Sequence, residues 1–211
     1  MSATIMSREI VTYCNCMEEV QRISLVQSVL ARSVTTGQDA FDTELIFVQF
    51  RKVLEQIAFA SLAANKVKYS AAYATFATHW NAQRMLRDLK KINPDFYPLP
   101  LDLVSIGDKG TNRVIHFEPV FDGFMTQDDF VCLYDKCGQI LHARNPFNPQ
   151  DPVIQIGYSV AQWVTRIRRL LATHLVHLVD SDVWVVTIPN DGLVRASLAR
   201  PTEGIAACDL P

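Results

Sequence analysis

The residues best equipped for chemistry lie together in Tyr134-Asp135-Lys136-Cys137-Gly138-Gln139-Ile140-Leu141-His142-Ala143-Arg144-Asn145-Pro146. An apolar helical stripe runs through Tyr134 and Leu141 and ends near His142, so His142, Arg144 and Asn145 are delivered to one place. An imidazole ordinarily titrates near neutral pH. A guanidinium is a fixed five-donor cation suited to phosphate, and an amide adds further donors. With a ribose 2′-hydroxyl in reach, His142 would act as general base while Arg144 steadies the phosphorane charge. Helical side chains lean toward the N-terminus, so His142 covers the turn that holds Gly138. A glycine in a helix interior costs about 1 kcal/mol against alanine, and here it predicts open space beside the imidazole. The same residues also compose an ordinary helix C-terminus, closed by a His and an Arg ahead of an Asn-Pro turn.

Three further groups compete for a role. Arg51 and Glu55 are four apart on a helix, within about 60° of Phe47, Ala58 and Leu62, at the rim of an apolar face. Charges placed there are normally paired, so they form either a structural ion pair or one side of a cleft facing His142. Arg169 and His174 have an Arg-x4-His spacing but lie about 140° apart on a continuous helix, so they converge only if the helix breaks between them. Arg166, Arg168 and Arg169 read first as the solvated face of that helix. His174 and His177 would share a face on a helix but not on the strand expected there, which argues against a metal site. Cys14 and Cys16 sit about 200° apart, and Cys132 and Cys137 about 140° apart, a poor metal clamp in both cases. No metal or cofactor is expected. His79 and His116 have no sequence partner that would give them chemistry.

The elements that must position these groups are mostly helical. One long helix is expected from Ser7 to about Val34, a second from Asp42 or Thr43 to about Asn65, and a third from about Tyr69 to Ile92. The third directs Tyr73, Phe76, Trp80 and Leu86 inward and ends in Arg84, Arg87, Lys90 and Lys91, cations that complement the negative end of a helix. Leu101–Ile106 and Arg113–Phe117, around Gly107-Asp108-Lys109-Gly110, predict an inserted β-hairpin. Thr126 and the acids after it cap a fourth helix, and a fifth runs from about Ile156 to Ala172. Beyond Thr173, β-branched runs at Leu175–Val179, Val183–Ile188 and Leu193–Leu198 predict a three-strand meander. The expected fold is therefore mainly α: a bundle of about five helices over 1–172 with a hairpin near 101–118, a meander over 173–199 packed on it, and a loose tail at 200–211.

Composition limits the alternatives. At 211 residues and 49% apolar content the chain buries a sizeable core, and a net charge of −2 leaves room only for a local nucleic-acid-binding surface. Five cysteines fit free thiols in a reducing compartment. The first residues lack a secretory pattern and no apolar run approaches the roughly 18 residues needed to cross a bilayer, so a cytoplasmic protein without membrane contact is expected.

The Arg-Lys-x-Leu-Glu-x-Ile segment, Arg51 to Ile57, and the later Leu-Tyr-x-x-Cys-Gly-x-x-Leu-His segment, Leu133 to His142, together resemble the HEPN superfamily over roughly residues 7 to 172. These are small helical bundles common in prokaryotic defence and toxin systems. The resemblance implies either a metal-independent ribonuclease, often dimeric, or a non-catalytic nucleotide, RNA or protein binder. The catalytic branch carries an Arg, four to six residues, then a His. Here His142 precedes Arg144, and only Arg168 or Arg169 to His174 has that order.

Two functions follow as expectations. The first is a non-catalytic or latent module of a defence or stress system that binds a nucleotide, RNA or an antitoxin-like protein partner, as a homodimer or alone, with the meander's edge as an interaction surface. The alternative is a metal-independent endoribonuclease with His142 as base, Arg144 on phosphate, and Asn145, Arg51, Glu55 and Tyr134 in the binding site.

Overall fold

The computed structural model describes residues 8–72, 81–109, 112–143, 147, 154–179, 182–189 and 193–199. Where one long N-terminal helix is expected there are two, α1 (Arg8–Val20) and α2 (Ile23–Leu30). The break is local: Gln21 and Arg22 donate their backbone N–H to the carbonyls of Glu18 and Glu19, a tighter turn than the α-helix allows, and Arg22 clamps the Glu19 carboxylate at 2.5 Å. Arg32, with φ of 55°, turns the chain after α2.

Helix α3 (Asp39–Ala64) is the central element and packs against α1, α2, α5 and α6. Asp42 does not cap it. Its carboxylate instead accepts from the Thr36 amide and from the Thr35 and Thr36 hydroxyls, closing the preceding loop and holding this carboxyl below its usual range. Two helices replace the single third helix: α4 (Lys66–Ala72) and α5 (Ala82–Ile92). The Asn81 side chain accepts from the Arg84 amide, so α5 has its own start. Tyr73, Phe76, His79 and Trp80 lie outside the described residues.

The expected mainly α architecture is overturned by the sheet. Strands β1 (Leu99–Lys109), β2 (Asn112–Pro119), β3 (Thr173–His177), β4 (Val183–Thr187) and β5 (Arg195–Ala199) form one antiparallel five-stranded sheet in the order β2-β1-β3-β4-β5. The hairpin is not a separate insertion: Leu99 and Pro100 at the start of β1 pair with Leu175 and His174 of β3. The fold is mixed α/β. Beyond that junction β1 and β2 continue as a two-stranded ribbon with a bulge between Leu103 and Ser105.

Helices α6 (Gln127–Leu141) and α7 (Val160–Leu171) are the last helices among the described residues. Each starts with a reciprocal capping box, Thr126 with Asp129 and Ser159 with Gln162. One continuous core joins helices and sheet, with Tyr13, Phe50, Phe130 and Trp163 fully buried beside Val176, Trp184 and Val186. Among the described residues no helix is long and apolar enough to cross a membrane. The expected tail at 200–211 lies outside the described residues.

Candidate functional site

The two segments that carry the HEPN resemblance meet between α3 and α6. Arg51 donates through Nη2 to the Tyr134 hydroxyl at 2.9 Å and through Nε to Glu55 Oε1 at 3.2 Å, and its guanidinium carbon lies 4.4 Å from the Tyr134 ring centroid. The space expected beside Gly138 is taken: a Cβ built there would stand 3.5 Å from Arg51 Nη1. Gly138 therefore admits the guanidinium against the α6 backbone. Burial pushes the neighbouring Cys137 thiol up to about 12, with Arg51 opposing the shift, so this cysteine is a packing group and not a nucleophile.

His142 sits one turn beyond Gly138 as the C-cap of α6, its amide bonded to the Gly138 carbonyl at 3.1 Å, and its side chain is exposed. Arg144 and Asn145, the proposed phosphate ligands, lie outside the described residues. What the structure brings together is Arg51, Glu55 and Tyr134, in a cluster that satisfies its own charge.

The Arg169–His174 pair does not converge. Arg169 donates to both oxygens of Asp102 on β1, at 2.8 and 2.5 Å, whereas His174 is fully buried on β3. Nδ1 of His174 lies 3.0 Å from the Leu171 carbonyl, which only accepts, so Nδ1 carries the proton. Nε2 is then the acceptor for the Tyr13 hydroxyl at 2.8 Å. Burial drives the His174 pKa down to about 4, and the ring is a neutral structural bridge between α1 and the sheet.

A different surface collects cations. A groove of about 830 Å³ between α5 and α6 is lined by Arg84, Arg87, Lys90 and Lys91, with the amides Asn81, Gln83 and Gln127 among them and Leu86 and Val131 as its apolar lining. Ala82, Met85 and Leu89 are buried on the opposite side of α5, which fixes the outward direction of the cations. Asp88, with its side chain 7% exposed, holds Lys91 at 3.2 Å and Arg84 at 3.7 Å. Arg87 and Lys90 make no ion pair among the described residues. The groove thus gathers four cations, two of them paired with Asp88, in a chain whose net charge is −2. In the sequence these cations stand out only as complements to the helix end. The missed signal was angular: at 100° per residue the four fall within an arc of about 120° centred on Arg87.

Among the described residues no group of three His, Cys, Asp or Glu side chains is arranged to hold a metal ion. Comparison with family models, curated proteins and solved structures finds no match to this chain.

Proposed function

We propose that this protein is a non-catalytic module that binds RNA by its phosphate backbone along the α5–α6 groove. The observation that carries this reading is the gathering of Arg84, Arg87, Lys90 and Lys91 along one groove, two of them without an ion pair among the described residues. Phosphate oxygens are the usual targets of such cations, and amides such as Asn81, Gln83 and Gln127 add neutral donors that fix the strand's position. No aromatic side chain lines the groove among the described residues, so binding is expected to follow the backbone and to discriminate weakly between bases. RNA is also among the ligand classes that the HEPN resemblance of Arg51–Ile57 and Leu133–His142 implies. A role in a defence or stress system belongs to this proposal.

Non-catalytic is preferred to ribonuclease because Arg51, Arg169 and His174 are all engaged in structural contacts. Arg51 is held by Glu55 and Tyr134, Arg169 is held by Asp102, and His174 is buried as the neutral ring. The test is incubation of labelled single-stranded RNA with purified protein in excess EDTA, with folded His142→Ala and Arg144→Ala variants alongside. Retention of intact, protein-bound RNA is expected. EDTA-resistant cleavage lost in both variants would establish the ribonuclease alternative.

A second reading, self-association, is favoured by the ribbon. Leu103, Val104, Ile106 and Ile115 are each about half exposed on β1 and β2, and β2 is an edge of the sheet whose backbone groups suit pairing with a second copy. Sedimentation velocity of wild type and Ile106→Asp tests it, with a dimer that the substitution dissociates as the expected result.

A further inference from the structure

The three arginines of α7 have separate fates. Arg166 donates to Asp129 at 2.7 Å and lies 4.3 Å from the Tyr158 ring centroid, and Arg169 is bound by both oxygens of Asp102. Arg168 makes no ion pair among the described residues. It borders a second cavity of about 130 Å³, formed where the α1–α2 junction, the end of α7 and the segment after β4 meet.

The remaining lining is mostly apolar: Val20, Ile23, Ile167, Leu171 and Ile188 form most of the wall, the first four of them nearly or fully buried. Ser24 and Gln21 are the only other polar side chains along it among the described residues. A dry protein cavity of about 150 Å³ holds a benzene-sized guest, so this one matches roughly six non-hydrogen atoms. A phosphate would leave the apolar wall unsatisfied, and an uncharged hydrocarbon would leave Arg168 without a counter-ion. A planar carboxylate on a short branched chain satisfies both, because a guanidinium pairs a carboxylate through two parallel hydrogen bonds.

We propose that this cavity is a binding site for a short branched aliphatic carboxylate, its hydrocarbon end against Ile23, Ile167 and Leu171 and its carboxylate on Arg168. None of its lining residues belongs to the α5–α6 groove, so the site stands or falls independently of RNA binding. It gives the protein a small-molecule input separate from its polymer ligand.

The test is titration of ¹⁵N-labelled protein with isovalerate, in parallel with isovaleramide, the uncharged isostere. Saturable shifts confined to residues near 20–24, 167–172 and 188–189 are expected. The amide should bind about tenfold more weakly or worse, the usual consequence of losing one charge-assisted hydrogen bond. In Arg168→Met the preference for acid over amide should disappear. Ala172→Trp, at an exposed rim position that lines the cavity, should abolish binding while the rest of the spectrum is retained. Absence of saturation at millimolar isovalerate would overturn the proposal, as would equal binding of acid and amide by the wild type. Because that comparison uses only wild-type protein, it remains decisive even if a variant fails to fold.

Discussion

The Tyr13 hydroxyl donates to Nε2 of His174 across 161 positions of sequence, tying α1 to β3 at 2.8 Å inside the core. Its partner bond, from Nδ1 to the Leu171 carbonyl, fixes the tautomer. Tyr13→Phe would leave Nε2 buried without a donor, which costs about 1–3 kcal/mol. Urea unfolding monitored by Trp fluorescence should show that loss with an unchanged slope, and a loss below 0.5 kcal/mol would mean that water reaches the pair.

The same histidine sets an acid limit. Above about pH 6.5 both folded and unfolded chains hold a neutral ring, and the depressed pKa has no effect. Below it the unfolded chain binds a proton that folded His174 refuses until about pH 4, so its contribution to stability falls across that window. In ¹⁵N spectra His174 should show the Nδ1-protonated tautomer at pH 5, where an exposed imidazole is already charged. A charged His174 at pH 5 in folded protein would contradict the burial argument.

Arg169 and Asp102 bracket the base of the ribbon, but their side chains are 43% and 51% exposed. Solvent screening keeps such a pair to about 0.2–1 kcal/mol despite its two-bond geometry. A double-mutant cycle with Arg169→Ala and Asp102→Ala should return a coupling of that size that shrinks in 1 M salt. A salt-insensitive coupling several times larger would place the pair in a drier setting than its exposure indicates.

Gly138→Ala should be tolerated or stabilising. The new methyl would meet Arg51 Nη1 at 3.5 Å, an ordinary contact, while the helix gains up to about 1 kcal/mol from the better helix former. Thermal unfolding checks the sign, and Gly138→Leu, which must displace the guanidinium, should destabilise. A destabilising alanine would show that Arg51 needs more room than the geometry gives it.

Local features of this fold were legible in the sequence, and long-range ones were not. Thr126 and the acids after it announced the start of α6 because a capping box is contained within four residues. The single sheet was hidden because it depends on Leu99 and Pro100 meeting His174 and Leu175, a register that no local pattern encodes. The sequence around Gly138 points to open space for the same reason: the group that fills it arrives from α3. The break at Gln21–Arg22 was missed because neither residue is a helix breaker, and the turn is held by Glu19 contacts. The cation arc of α5, by contrast, was present in the spacing of Arg84, Arg87, Lys90 and Lys91 and needed only the helix start at Asn81 to be resolved.

The most direct test of RNA binding at the α5–α6 groove is the salt dependence of affinity for a fluorescent single-stranded RNA, wild type against Arg87→Ala/Lys90→Ala. Single strands lose affinity with a log–log slope of about 0.7 per phosphate neutralised, so four groove cations predict a slope near −3 and the double variant about −1.4. Both substitutions lie on the solvent face of α5, so folding should be unaffected. A wild-type slope near zero, or one that the double substitution leaves unchanged, would contradict the assignment of RNA to this groove.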